Sequence, residues 1–95
     1  MRQKGTVMRL IHDHILRKVH GDIVLVPLSN GETDFRGMLV LNHTGEALCK
    51  LLRQDTDRER LISELARAYG REPEQVEKDV DAFLAQLDEC RMLVR

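Results

Sequence analysis

Between Gly37 and Leu52 the sequence reads GMLVLNHTGEALCKLL, and an apolar strand pattern gives way there to a helical one within a few residues. Met38, Leu39, Val40 and Leu41 are four consecutive apolar residues bounded by Gly37 and Asn42, the pattern of a short strand covered on both faces. Either Asn42 or Thr44 caps the following helix, because a short polar side chain there accepts a bond from an otherwise unpaired amide of the first turn. Glu46 suits the positive end of that helix's dipole, and Leu48, Leu51 and Leu52 follow at helical spacing. A chain built around this junction has its sheet before it and its helices after it.

Upstream, Ile15 to Val19 and Ile23 to Leu28 are two runs rich in β-branched residues, separated by His20-Gly21-Asp22, a tight-hairpin signal because Gly readily takes positive φ. Pro27 has no amide to give a ladder, so the second strand ends or meets an edge there. Ser29-Asn30-Gly31 and the polar loop from Glu32 to Arg36 carry the chain to the third strand, Met38 to Leu41, which is expected at an edge. Downstream, the first helix runs from about His43 to Arg53, with Gly45 in its first turn marking a close backbone approach. Asp55-Thr56-Asp57 is a capping cluster for a second helix carrying Leu61, Ile62, Leu65, Ala66 and Tyr69 on one side, closed by Gly70. Pro73 opens a third helix whose apolar stripe is Val76, Val80, Phe83, Leu84 and Leu87, out to Glu89. Met92 to Val94 is either a last short strand or a tail packed on the helices. The fold class expected is therefore α+β: an N-terminal three-stranded antiparallel sheet followed by three helices, in a winged helix-turn-helix-like order.

The segment GMLVLNHTGEALCKLL, together with the ending DVDAFLAQLDECRMLV, resembles the family of the pyrroloquinoline quinone biosynthesis protein D (PqqD). Its signature is a strand ending in Leu-Asn, a polar residue, Thr-Gly and an amphipathic helix, and the likeness runs over roughly residues 14 to 94 in one register. The resemblance implies a small winged helix-turn-helix module, without catalytic machinery or a cofactor of its own. Such a module holds the leader segment of a ribosomally made precursor peptide for a modifying enzyme, in this family often a radical S-adenosylmethionine protein. Two departures fall on the helical scaffold: Cys49 stands where the family usually has a large aromatic residue, and Cys90-Arg91-Met92 replaces the usual small-Gly-Leu ending.

Length and composition bound what else the chain can be. Ninety-five residues make one domain with one modest core, since a chain of this size buries only roughly 60 to 65% of its unfolded surface. Residues 1–13 are read as a separate N-terminal segment that is frayed, swapped between chains or folded back, and residues 14–95 as the PqqD-like domain. Fifteen basic residues against sixteen acidic ones make no electrostatic case for nucleic acid or an anionic membrane. Cys49 and Cys90 have no metal or CxxC spacing, and there is no secretory h-region or membrane-spanning apolar run, so a cytoplasmic protein with reduced thiols is expected. Cys49 reads as a small buried hydrophobe rather than a reactive thiol. His12-Asp13-His14 with His20 is the only dense polar candidate for metal binding, and nothing else at ligand spacing accompanies it.

Winged helix-turn-helix topology also invites a DNA-binding or regulatory reading, and self-pairing of the edge strand a structural, oligomerising one. Against DNA stands the third helix: from Glu72 to Glu89 it carries seven acidic residues and only Lys78 as a base. A helix entering the major groove needs the reverse. The charges of the second helix read as pairs within that helix. The preferred reading is a non-enzymatic peptide-binding module, monomeric or a homodimer, whose edge strand adds an extended peptide as a further strand. Its candidate site residues are Phe35, the aromatic of the preceding loop; Met38, Leu39, Val40 and Leu41 of the strand; and Gln75, Lys78, Asp79, Ala82 and Gln86 on the flank of the third helix. The plain alternative is core strand for the first group and solvent-facing helix positions for the last.

Overall fold

His20 and Gly21 both take positive φ, 50° and 86°, in the computed structural model, which describes residues 7–28 and 37–95. Two such residues make a turn whose twist matches that of its strands. The turn closes a hairpin of β2 (His14–Val19) and β3 (Asp22–Pro27), with Val19 opposite Asp22 and His14 opposite Pro27. A third strand, β4 (Leu39–Leu41), pairs antiparallel on the other side of β3, with Leu41 opposite Ile23 and Leu39 opposite Leu25. Carried two residues further, this register brings Pro27 to bond on the β4 side, and its missing amide stops the ladder. The order β2-β3-β4 leaves β4 at an edge.

Three helices follow: α1 (His43–Leu51), α2 (Arg58–Tyr69) and α3 (Pro73–Glu89), so the expected α+β order of three strands and then three helices is observed. Asn42, not Thr44, caps α1, its side chain accepting from the Gly45 amide at 2.8 Å. Asp57 caps α2 through the Arg60 amide, and Glu72 and Gln75 form a capping box around Pro73 at the start of α3. Gly70 at φ 62° closes α2, with the Arg71 amide reaching the Ala66 carbonyl. The end of α3 has the same geometry on a residue less suited to it: Arg91 takes φ 55°, and the Met92 amide bonds the Leu87 carbonyl at 2.9 Å. This is the Schellman arrangement, with the expected apolar contact between its outer residue and the helix, since Met92 and Leu87 are both fully buried.

One core joins sheet and helices. Leu25, Leu39 and Leu41 from the sheet belong to the same buried cluster as Leu48, Leu65 and Leu87 from the three helices, each buried Leu stabilising by roughly 1.5–3 kcal/mol. Cys49 lies in that cluster, and burial pushes its thiol up to about 12.

Two points refine these expectations. First, of the alternatives open to residues 1–13, the described residues 8–13 fold back: Met8, Leu10 and Ile11 are buried in the common core. Strand β1 (Arg9–Leu10) pairs with β5 (Leu93–Val94), and Met8 bridges Thr56. Three apolar side chains in six residues explain it, for left in water they would forfeit several kcal/mol of burial. Residues 1–6 lie outside the described part of the chain. Second, the ionic contacts of Arg58 run between helices rather than within α2. Its guanidinium forks onto Asp81 of α3 at 2.7 and 2.9 Å, with Glu77 at 3.6 Å, and this pairing holds the Asp81 carboxyl below the usual range. A similar fork joins Arg95 to Asp88. No helix among the described residues is long and apolar enough to cross a membrane.

Candidate functional site

The hydrogen-bonding parity of the sheet decides which groups β4 offers. The Leu28 amide donates to the Asp13 carbonyl at 2.8 Å, and the two-residue turn makes Val19 and Asp22 the closing bonded pair. Bonded and non-bonded pairs alternate along an antiparallel ladder. Val26, Val24 and Asp22 therefore turn their peptide groups toward β2, and Leu25 and Ile23 turn theirs toward β4, onto Leu39 and Leu41. Val40, opposite Val24, sits in a non-bonded pair. Its N–H and C=O point away from β3, toward a side where no strand pairs with it among the described residues.

Side chains on β4 alternate. Leu39 and Leu41 are buried while Val40 is 63% exposed, and Met38 just before it is 58% exposed. The run of four apolar residues suggested a strand covered on both faces; it is covered on one. Hydrophobicity alone could not separate these cases, because Val40 and Met38 are as apolar as their buried neighbours. The opposite edge of the sheet differs in kind. Strand β2 exposes Arg17 and Lys18, charges of the sort that discourage strand pairing, whereas Met38 to Leu41 contains none.

Beside β4 runs an open groove of about 180 Å³, lined by Val40, Leu41, Asn42, Thr44, Gly45, Asp79, Ala82, Phe83 and Gln86. It is smaller than the roughly 300–1,000 Å³ of small-molecule pockets. Its wall is the stripe Asp79, Ala82, Phe83 and Gln86 on α3, which share one helix face. Its floor is the start of α1, where Gly45 permits close approach: a Cβ there would lie 3.3 Å from Phe83 Cε1 and 3.4 Å from Leu41 Cβ.

Of the ten residues proposed from sequence, Val40, Leu41, Asp79, Ala82 and Gln86 line this groove. Leu39 points into the core, so it offers the site only position, and Met38 is exposed beyond the lining. Gln75 and Lys78 do not reach it. The Gln75 side chain accepts from the Glu72 amide in the capping box, and Lys78 is exposed on α3. Phe35 lies outside the described residues. Sequence reasoning missed Asn42, Thr44, Gly45 and Phe83 as lining residues. Gly45 is legible in the sequence as a close approach, whereas the spacing of Phe83 marks only the core stripe, and its ring serves both core and groove.

A second hollow, of about 420 Å³, lies at the β2 edge and is lined by Leu10, Ile11, His12, His14, Ile15, Leu16 and Arg53. Its two histidines gain no third ligand: no group of three His, Cys, Asp or Glu among the described residues is placed to hold a metal. Larger volume does not make it the better site, since it adjoins the charged edge rather than the apolar one.

Two solved structures share this fold. One is the solution NMR structure of the PqqD truncation of Methylobacterium extorquens PqqCD, described as a functional and stand-alone ribosomally synthesized and post-translationally modified peptide (RiPP) recognition element. It is 24% identical, with a TM-score of 0.70 over 94% of this chain and 89% of that one. The other is TbiB1 in complex with the TbiA(beta) leader peptide, 20% identical, with a TM-score of 0.67 over 90% of this chain and 93% of that one. At these identities the likeness speaks for the fold. No curated protein matches the sequence. The family model for coenzyme PQQ synthesis protein D (PqqD) matches residues 23–93, from inside the hairpin to β5 and thus through β4, the groove and all three helices, and with well over half its length matched the chain belongs to the PqqD family.

Proposed function

We propose that this chain is a non-catalytic peptide-binding module that takes the leader segment of a ribosomally made precursor peptide as a strand beside β4 and presents it to a modifying enzyme. The observation that carries the reading is the apolar edge at Val40, unpaired among the described residues, whose outward peptide group lies beside an open groove. A strand added there satisfies backbone groups that water otherwise holds, and main-chain bonds supply register whatever the peptide's sequence. Peptide residues paired with Leu39 and Leu41 would direct their side chains toward α3, and those between would lie beside Met38 and Val40. Membership of the PqqD family and the leader-peptide complex of a structural neighbour support the same reading. The acid-rich α3 argues against DNA as the partner.

The test is a pair of proline variants. Val40→Pro removes an amide that points outward and leaves the β3–β4 ladder intact, whereas Leu39→Pro removes an amide committed to Leu25. Val40→Pro should keep the native circular dichroism spectrum and lose affinity for leader peptides encoded beside the gene, by tenfold or more. Leu39→Pro should lower the melting temperature, because it removes a ladder hydrogen bond. A folded Val40→Pro protein with unaltered affinity would show that strand addition is the wrong mechanism.

A further inference from the structure

The groove also carries information about what it accepts. Asp79 is the only ionisable residue in its lining, and no ion pair reaches it among the described residues. The neighbouring carboxylates of α3, Glu77 and Asp81, are held by Arg58 instead. Next along the wall come Ala82 and the edge of Phe83, small and apolar, and then the amide of Gln86. Along the helix, Asp79 and Ala82–Phe83 are about 5–6 Å apart and Gln86 about another 5–6 Å on. In an extended strand, side chains facing one way recur about every 6.6 Å. The two repeats are close enough for three alternate residues of one strand to meet these three stations in turn.

Resting on the strand-addition reading, we infer that the leader segment this chain selects has a basic residue facing Asp79 and an apolar residue two positions away, seated on Ala82 and Phe83. A polar residue two positions further, opposite Gln86, completes the pattern; the direction of the added strand sets whether it reads forward or backward. Charge complementarity favours this occupant over an acidic segment, whose carboxylate would face Asp79 with no cation in the lining to offset it.

The experiment is selection of a random linear-peptide display library on the full chain and, separately, on its Asp79→Lys variant. Asp79 is exposed on α3, so the variant folds. Peptides retained by the parent should be enriched in Lys or Arg two residues from an apolar position. On Asp79→Lys the basic preference should give way to Asp or Glu while the apolar preference persists. Replacing the basic residue of a retained peptide by Glu should weaken it about fivefold on the parent, an effect that shrinks with added salt. The same charge preference on both proteins, or none on either, overturns the inference and leaves strand addition standing. Retention of no peptide at all by the parent overturns both.

Discussion

Arg91 occupies a backbone position that suits glycine. At φ 55° an L side chain costs roughly 1–2 kcal/mol, and the Schellman bonds of Arg91 to Asp88 and Met92 to Leu87 hold it there. Arg91→Gly should therefore stabilise the protein by about 1 kcal/mol, offset in part by the freer unfolded chain, and raise Tm by a few degrees in a thermal melt. A lower Tm would show that the Arg91 side chain contributes more than its backbone loses. In the sequence, Cys90-Arg91-Met92 stood out as a departure from the family's usual ending, but the sign of φ is a property of the folded turn and could not be read from residue types. Cys49 gives a second test. Below pH 9 the thiol is neutral in both states; above it the unfolded chain ionises freely while the buried thiol keeps its proton to about 12. Stability should fall over that window, with a slope from this group of up to about 1.4 kcal/mol per pH unit. Denaturant titrations of Cys49→Ala should show a shallower decline, and an equal one would place the titration elsewhere.

Elements were the most legible level, because each is announced by short-range chemistry. Asn42, Asp57 and the Pro73 region mark three helix starts, Gly70 one helix end, and His20-Gly21 the hairpin, all within a residue or two of the observed boundaries. What local pattern does not carry is which neighbour an element meets. The charges of α2 looked self-sufficient, yet Arg58 reaches Asp81, 23 residues on, and ties the start of α2 to the middle of α3. That pair is structural and none of its members lines the groove. Arg58→Ala should thus lower the melting temperature slightly and leave peptide affinity unchanged in an isothermal titration. A loss of affinity would mean that α3 must be held by this pair to form the groove wall. The alternation on β4 escaped the sequence for a related reason, since a run of four apolar residues fits a strand buried on one face or on two.

At the scale of the molecule, the N-terminal segment joins the core and pairs with β5, and among the described residues no strand pairs with the outer, apolar edge of β4. The first of these was not legible, because Val7 to Ile11 is too short and mixed to declare a partner as distant as Arg9 is from Val94. The second was, in outline: an edge strand beside the third helix followed from the order of the elements, and the structure supplies the groove and the direction of the peptide groups. Strand addition at this edge requires the outward amide of Val40. Amide hydrogen exchange, followed residue by residue with and without a saturating leader peptide, reads that group directly. Val40 should exchange freely in the unbound protein and become protected in the complex, while Leu39 and Leu41, already bonded to β3, stay protected in both. An amide at Val40 that exchanges equally fast with peptide bound would contradict strand addition at this edge.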